Sequence, residues 1–417
     1  MTVRYNFIDL FAGIGGFHQA LSSIGDCVMA SEMDKYCCKV YQQNYNIEPR
    51  GNIQQIDEKT VPDFDILAGG FPCQAFSKAG KQEGFDDKKG RGQLFFDVCR
   101  IAEYKKPKYM ILENVKNLRS HDKGNTWKVI RQKIDEMGYH TYDTPIVLNA
   151  LYFGVPQSRE RVVILCKRKD LGELPDLPVI NNSCICDTSL SSIIDNETQH
   201  RGYTISGKMK VVEEVWDDYL NVLHTNNIAV PKIPIWTDWW DGDGENTTVT
   251  KRDSKKTDGE NDEIILRRQK EFYKKYKSWI DKNRKFYNDN KEYLEPWLQR
   301  SREKEHWKGA VRKIEWQAGD EKLTMKDVLW SARGSGVRVK KHNYAPTLVA
   351  MASMIPVYGP LSKTLSPKEC MRLQSFSENT ILHENVKIAY KQLGNAVNVT
   401  MINRCARFLI YNEPLFS

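Results

Sequence analysis

Phe7-Ile8-Asp9-Leu10-Phe11-Ala12-Gly13-Ile14-Gly15-Gly16-Phe17 joins an apolar run of strand length to three glycines within four positions, and an amphipathic stretch over 17–24 follows. Glycines between a strand and a helix permit a tight reversal and let a ligand approach the backbone and the helix start closely. The spacing is G-x-G-G, which departs from the G-x-G-x-x-G of dinucleotide sites, and neither a P-loop nor a phosphate-binding lysine accompanies it. The turn therefore suits a nucleoside ligand that lacks a pyrophosphate. Glu32 ends the second apolar run, where a carboxylate can bind ribose hydroxyls.

Outward from this turn, residues 3–168 alternate short apolar runs with amphipathic stretches, the pattern of a parallel sheet covered by helices. Strands are expected at Cys27-Val28-Met29-Ala30, Ile66-Leu67-Ala68, Met110-Ile111-Leu112 and Val162-Val163-Ile164-Leu165, and helices over 35–45 and 126–137. Two runs end in reactive side chains. Phe64-Asp65-Ile66-Leu67-Ala68 leads into Gly69-Gly70-Phe71-Pro72-Cys73, and Tyr109-Met110-Ile111-Leu112 leads into Glu113-Asn114-Val115. A thiol and an acid thus stand at the carboxyl ends of two strands, the side of an open α/β sheet where ligands bind.

The character changes after Lys169. Pro175, Pro178 and Asn181-Asn182-Ser183 mark a boundary, and a Trp-rich, Gly/Asp-rich segment over 236–244 follows. Asp241 to Glu245 lacks the ligand ladder of a calcium loop and reads as a turn. One long charged helix is expected over 264–302, with Phe272, Tyr276 and Trp279 on one face as core packing. From Asp262 to Trp316 there are 16 Lys/Arg against 10 Asp/Glu, most of the chain's net charge of +8, which suits a polyanionic partner. From Ala345 the chain resembles its first part again and ends in an amphipathic stretch over 399–409. One domain built from both ends of the chain, 1–185 and 386–417, with a second inserted over 186–385, is the expected organisation.

The ten cysteines are scattered, and neither Cys37-Cys38 nor Cys184-Ile185-Cys186 has zinc-ligand spacing, so a reducing cytoplasm and no metal site are expected. No apolar run approaches the length needed to span a bilayer, and strand-like residues from Val3 leave no room for a signal peptide.

Taken in order, Phe11-Ala12-Gly13-Ile14-Gly15-Gly16, Glu32, Phe71-Pro72-Cys73-Gln74, Glu113-Asn114-Val115, Gln157-Ser158-Arg159-Glu160-Arg161, Cys370-Met371-Arg372-Leu373-Gln374 and Gln392-Leu393-Gly394-Asn395-Ala396 resemble the motif set of the DNA (cytosine-5) methyltransferases, in particular the compact bacterial enzymes of restriction-modification systems. The resemblance covers 5–168 and 345–410. It implies a Rossmann-like α/β fold with a mostly parallel sheet, helices on both faces, and an inserted, smaller target-recognition domain. It implies S-adenosylmethionine as cofactor and double-stranded DNA as partner. Cys73 would be the nucleophile and Glu113 the general acid, with Asn114 holding the base and Arg159 and Arg161 reaching the cytosine and the active-site loop. Phe11, Gly13, Gly15, Glu32, Ile53, Asn395 and Val397 would line the cofactor pocket. Met33 and Asn52 would join them although they depart from the family pattern: Met33, where many relatives carry an aromatic residue, can pack on the adenine, and Asn52, where an aspartate is common, can accept the same bond from the adenine amino group. Ser77, Lys78, Lys81, Gln82 and Arg91 resemble the polar members of the family's mobile loop and would contact DNA. A monomer near the bacterial nucleoid is expected; a cognate endonuclease and a regulatory role are both left open.

The rival readings are the same chemistry on RNA and a DNA-binding module that has lost catalysis. The RNA branch typically carries Cys-Phe-Thr and a small recognition domain, and this chain has neither. Intact Cys73, Glu113 and Arg161 argue against the silent module, and the glycine spacing argues against a nicotinamide-dependent oxidoreductase.

Overall fold

The computed structural model describes residues 4–72, 94–186, 188–195, 203–240 and 262–416. It divides into two compact units, one formed by 1–194, 343–352 and 366–417 and the other by 195–342 and 353–365. Residues 343–352 and 366–385 thus group with the first unit, whereas the sequence pattern places them in the insert.

In the first unit, β1 (Tyr5–Leu10), α1 (Gly16–Leu21), β2 (Gly25–Ser31), α2 (Lys35–Tyr45), β3 (Ile66–Gly69), α3 (Leu94–Lys105), β4 (Tyr109–Val115), α4 (Asn125–Glu136), β5 (Tyr139–His140), β6 (Ile146–Asn149), β7 (Gln157–Ser158) and β8 (Glu160–Arg168) follow one another. The sheet order is β2-β1-β3-β4-β8-β5, with β6 also on β8. β1 pairs in parallel with β2 and β3, and β3 with β4. β8 runs against β4, β5 and β6 and is the one strand of reversed direction among the seven.

Alternate residues of these strands feed two cores. Ile8, Leu10, Leu67, Met110, Leu112, Val162 and Ile164 pack with apolar residues of α3 and α4. Phe7, Ile66, Ala68, Ile111, Val163 and Leu165 pack with those of α1 and of a C-terminal helix. The near-continuous apolar runs seen in the sequence follow from this two-sided burial. The chain moves from β1 to β2 on one side and then to β3 on the other, and this reversal opens a crevice outside the carboxyl ends of β1 and β3.

The boundaries of α2 have local causes. Asp34 accepts hydrogen bonds from the backbone N–H groups of Tyr36 and Cys37, and Asn46 ends the helix in the left-handed region at φ 53°.

The second unit contains α5 (Gly207–Thr225), β9 (Ile235–Trp236), α6 (Asp262–Asp289), α7 (Lys291–Arg302), β10 (Lys313–Gln317), β11 (Val328–Arg333) and β12 (Gly336–Lys341). After β13 (Ala345–Pro346), which pairs with β7 in the first unit, come β14 (Val357–Tyr358) and β15 (Lys363–Thr364). The second sheet has the order β15-β14-β11-β12-β10-β9. Trp216, Trp297 and Trp307 form an aromatic cluster against its inner face, with ring centroids 5.3–6.3 Å apart. The indole N–H groups of Trp216 and Trp297 donate to the carbonyls of Val311 and Val215.

Two expectations for this unit are corrected. The single helix over 264–302 is two helices, α6 and α7, broken at Asn290. The aromatic stripe is not core: Phe272 and Tyr276 are half-buried and Trp279 is 45% exposed. The core-facing side of α6 carries Ile280, Asn283 and Tyr287 instead, a row rotated by about 100° from Trp279 because each residue advances a helix by that angle. The three stripe rings pack on one another, at 4.6 and 6.2 Å. The turn expected at Asp241–Glu245 lies outside the described residues.

The chain returns to the first unit with α8 (Pro367–Leu373), α9 (Val386–Asn395) and α10 (Val399–Tyr411). Asn403 of α10 donates to the Ala20 carbonyl at 2.7 Å, tying it to α1. No described helix is long and apolar enough to cross a membrane.

Candidate active site

The glycine turn after β1 is held in a conformation that side chains rarely adopt. Phe11 and Gly13 both sit at φ 55° and Gly15 at φ 90°. A Cβ on Gly15 would lie 2.1 Å from the Tyr45 ring, so glycine is required there for space as well as for backbone freedom. Tyr45 also donates its hydroxyl to the carbonyls of Ile14 and Gly15, at 3.1 and 3.2 Å.

Glu32, half-buried at the end of β2, accepts from the Gly13 N–H through one carboxylate oxygen and from the Met33 and Asp34 N–H groups through the other, all at 2.8 Å. One acid thus links the ends of β1 and β2 and faces the crevice with its remaining lone pairs. Ile53 is buried in the core beside this site. Asn52 uses its amide oxygen to accept from the Gln54 N–H at 3.1 Å, capping the short turn over Ile53–Gln55. That leaves the oxygen one further lone pair for a ligand. Met33 is 74% exposed and lies on the surface.

Beneath the turn lies a polar network that sequence reasoning missed. Asp9 is fully buried, and the Tyr41 hydroxyl donates to it at 3.4 Å. His18 Nδ1 is 2.8 Å from the same hydroxyl, and its ring stacks on Tyr45 at 3.9 Å. The spacing of Tyr41 and Tyr45 marks them as one apolar helix face; nothing in a single sequence reveals what their hydroxyls hold.

Burial pushes the Asp9 carboxyl well above the usual carboxylate range, against the opposing effect of hydrogen bonds from the His18 backbone and Tyr41. Burial also lowers His18 from 6.5 to about 4, among Asp9, Tyr41, Tyr45 and Cys27. A histidine depressed on folding contributes stability that is complete above pH 6.5 and is lost as pH falls toward 4. At about 1.4 kcal/mol per pH unit the loss is about 3 kcal/mol. The raised Asp9 carboxyl acts in the opposite sense, so a comparison of variants is needed to isolate the histidine. Chemical denaturation of the wild type and His18→Gln between about pH 7.5 and pH 4.5 is expected to show the wild type losing about that much more. Identical pH dependence would remove His18 from the account.

The second half of the site gathers at the carboxyl ends of β3 and β4. Glu113 is 9% exposed, and its Oε1 lies 2.8 Å from Arg161 Nε. On the β4–β8 ladder Arg161 stands opposite Val115, diagonal to Glu113, which is why the two side chains meet. Asn114 donates its amide to the Phe71 carbonyl at 3.3 Å, fastening the end of β4 to the segment that leaves β3. A Cβ on Gly70 would lie 3.5 Å from Glu113 Oε2, 3.7 Å from Phe17 and 3.9 Å from Val397. The backbone leading into Pro72 and Cys73 therefore runs directly beside the acid. Cys73 itself lies outside the described residues, as do Ser77, Lys78, Lys81, Gln82 and Arg91.

Arg159 departs from its expected place. It is 1% exposed, and its guanidinium donates to the carbonyls of Ala396 at 2.6 Å, Gly394 at 3.3 Å and Leu348 at 3.5 Å. These bonds secure the C-terminal segment. That segment approaches closely enough that a Cβ on Gly394 would sit 2.6 Å from the Ala350 backbone nitrogen. It brings Val397 against Gly16, where a Cβ would be 2.7 Å from Val397 Cγ2, and leaves Asn395 exposed. A separate groove of about 660 Å³ beside α4, lined by Arg119, Trp127, Arg131, Tyr139 and Asp143 among others, contains none of the expected site residues.

Comparison with known proteins places the chain as a whole. The chain is 54% identical to the type II methyltransferase M.HhaI of Haemophilus parahaemolyticus over 166 residues, 40% of this chain and 50% of that protein. It is 30% identical to the type II methyltransferase M.BanI of Aneurinibacillus aneurinilyticus along 99% of this chain and 97% of the relative. The aligned part thus spans half of the first relative and nearly all of the second. The solved structure of the Entamoeba histolytica methyltransferase EhMeth shares the fold, with a TM-score of 0.55 at 15% identity over 98% of this chain and 99% of that one. Residues 5–410 match the family described as C-5 cytosine-specific DNA methylase, and it is to this family that the chain belongs.

Proposed function

We propose that the protein transfers the methyl group of S-adenosylmethionine to carbon 5 of a cytosine turned out of a short, specific site in double-stranded DNA, through a covalent bond to Cys73. The observation that carries this reading is that Glu113, paired with Arg161, lies beside Gly70, and Asn114 bonds to the Phe71 carbonyl, both on the segment that leads toward Cys73.

The residues around the glycine turn fit the methyl donor. Phe11 to Gly16 carry no basic side chain, and the acid facing them is Glu32, an arrangement suited to ribose hydroxyls and a cationic sulfonium rather than to a pyrophosphate. Phe11, Gly13, Gly15, Glu32, Asn52, Ile53, Asn395 and Val397 would hold it. S-adenosylmethionine would supply an electrophilic methyl group.

Carbon 5 of cytosine is a poor nucleophile. Addition of the Cys73 thiolate to carbon 6 forms a C–S bond and moves the ring electrons toward carbon 5, which can then attack. Glu113, which takes up a proton from solvent as the base enters the site, passes it to ring nitrogen 3 as these electrons shift, and Arg161 keeps the carboxyl aimed. The methyl group would leave with the bonding pair of its old bond staying on the donor sulfur; carbon 5 then releases its proton to water, nitrogen 3 returns its proton to Glu113, the C–S bond breaks with its electron pair returning to the Cys73 sulfur, and the ring regains aromaticity. Inside a duplex the base is unreachable, so it must be extruded at a cost of about a few kcal/mol, offset by pocket and phosphate contacts. Ser77, Lys81, Gln82 and Arg91 are proposed to make some of those contacts, and the second unit is proposed to recognise the target.

The reading is tested by expressing the chain in a host free of cytosine methylation and mapping 5-methylcytosine at base resolution. Methylation confined to one short motif is expected. A soluble protein that leaves the DNA unmethylated would overturn the reading.

A further inference from the structure

The register of the second sheet sorts its side chains onto two faces. β11 and β12 pair as Ser331 with Arg338, Leu329 with Lys340 and Arg333 with Gly336. β10 adds Glu315 beside Arg338, Gln317 beside Lys340 and Lys313 beside Gly336, and β9 sets Trp236 opposite Lys313. Residues paired in this way project from the same face. One face therefore carries Ile235, Ile314, Trp316, Trp330, Val337 and Val339, the apolar core. The other carries Lys313, Arg333, Arg338 and Lys340 against one described carboxylate, Glu315.

The single acid is shared, lying 3.4 Å from Lys313 and 3.3 Å from Arg338. Arg333 bonds to Ser331 Oγ at 3.2 Å. Lys340 has no ion pair among the described residues. The crowding is electrostatically unfavourable: burial foremost, and then neighbouring cations, lowers both Arg333 and Lys340 from their ordinary values. No two of these cations stand directly opposite in the register, but Arg333 is diagonal to Arg338, and Arg338 is two residues from Lys340 on the same strand, which is close enough for like charges to repel. A face that gathers them is better matched to a polyanion than to water alone. Arg338 is the exposed member of the group, while Arg333 and Lys340 are half-buried beside it.

We propose that this face binds the phosphodiester backbone of duplex DNA, with Arg333, Arg338 and Lys340 supplying grip that is independent of base sequence. The proposal rests on the DNA substrate argued above and adds where affinity, as distinct from specificity, originates.

The test uses the full chain and fluorescence anisotropy with two labelled duplexes, one containing the methylated motif and one lacking it, across a salt series. Arg333→Gln, Arg338→Gln and Lys340→Gln are compared with Lys232→Gln, a control that removes a surface charge paired with Asp320 elsewhere in the unit. Melting curves check that each variant is folded. Each face variant is expected to weaken both duplexes by a similar factor and to reduce the log–log salt slope by roughly 0.9 for every phosphate left unneutralised. Lys232→Gln should leave the slope as it is. Face variants that behave like the control overturn the proposal. So does weakening confined to the motif-bearing duplex, which would make these residues base readers. A wild-type protein that binds neither duplex overturns the DNA reading itself, and the two failures are thereby told apart.

Discussion

Cys73→Ser is expected to reduce methyl transfer to background while DNA binding survives. A hydroxyl has the size of the thiol but does not ionise near neutral pH, and only the thiolate adds to carbon 6. The effect should exceed that of any other single substitution, because without the covalent step carbon 5 never becomes nucleophilic. The intermediate can be trapped. In a duplex with 5-fluorocytosine at the target, carbon 5 has no proton to release after methylation, so the bond to Cys73 should persist. A protein–DNA band stable to denaturation is expected for the wild type and absent for Cys73→Ser. The Glu113–Arg161 pair and the bond from Asn114 to the Phe71 carbonyl are made by other residues, so melting curves of the variant should match the wild type. A serine variant that retains activity within about tenfold of the wild type would move the nucleophile elsewhere.

What the sequence makes legible is whatever depends on local spacing. The glycine turn is readable because strand, glycines and helix succeed one another within eleven residues, and φ values of 55° and 90° at Gly13 and Gly15 are the physical reason for glycine. α2 is read to its ends because Asp34 and Asn46 terminate it through their own side chain and backbone. Glu113 and Arg161 stand out because each follows or opens an apolar strand. The reversed direction of β8 leaves no trace in hydrophobic periodicity, since a buried strand reads alike either way. Arg159 is misplaced by its motif for a related reason. Its partners at Leu348, Gly394 and Ala396 are about 190 to 240 residues distant, and a motif containing two arginines does not say which turns inward. The break at Asn290 is hidden because apolar periodicity continues on both sides of it. The stripe of Phe272, Tyr276 and Trp279 shows the limit of periodicity most clearly: it identifies a face but not what, if anything, covers it.

Glu113→Gln separates proton donation from architecture. The amide oxygen of glutamine can still accept from Arg161 Nε, so the 2.8 Å contact has a neutral replacement, but the amide cannot give its proton to ring nitrogen 3. Single-turnover methyl transfer is expected to fall by about 10²–10⁴-fold, the usual contribution of a positioned acid. Affinity for DNA and thermal stability should change little. Arg161→Ala is expected to behave differently. It leaves Glu113 charged, nearly buried and without its partner, and removing one member of such a pair costs about 3–5 kcal/mol, the lower end being apt where slight exposure allows solvent relief. The double variant Glu113→Gln, Arg161→Ala should recover much of that stability, because no buried charge remains, while transfer stays slow. Such non-additivity is the signature of a coupled pair. If Glu113→Gln instead lost stability as severely as Arg161→Ala and kept its rate, the carboxylate would be a structural counter-ion for the arginine, and the proton would have to come from another group.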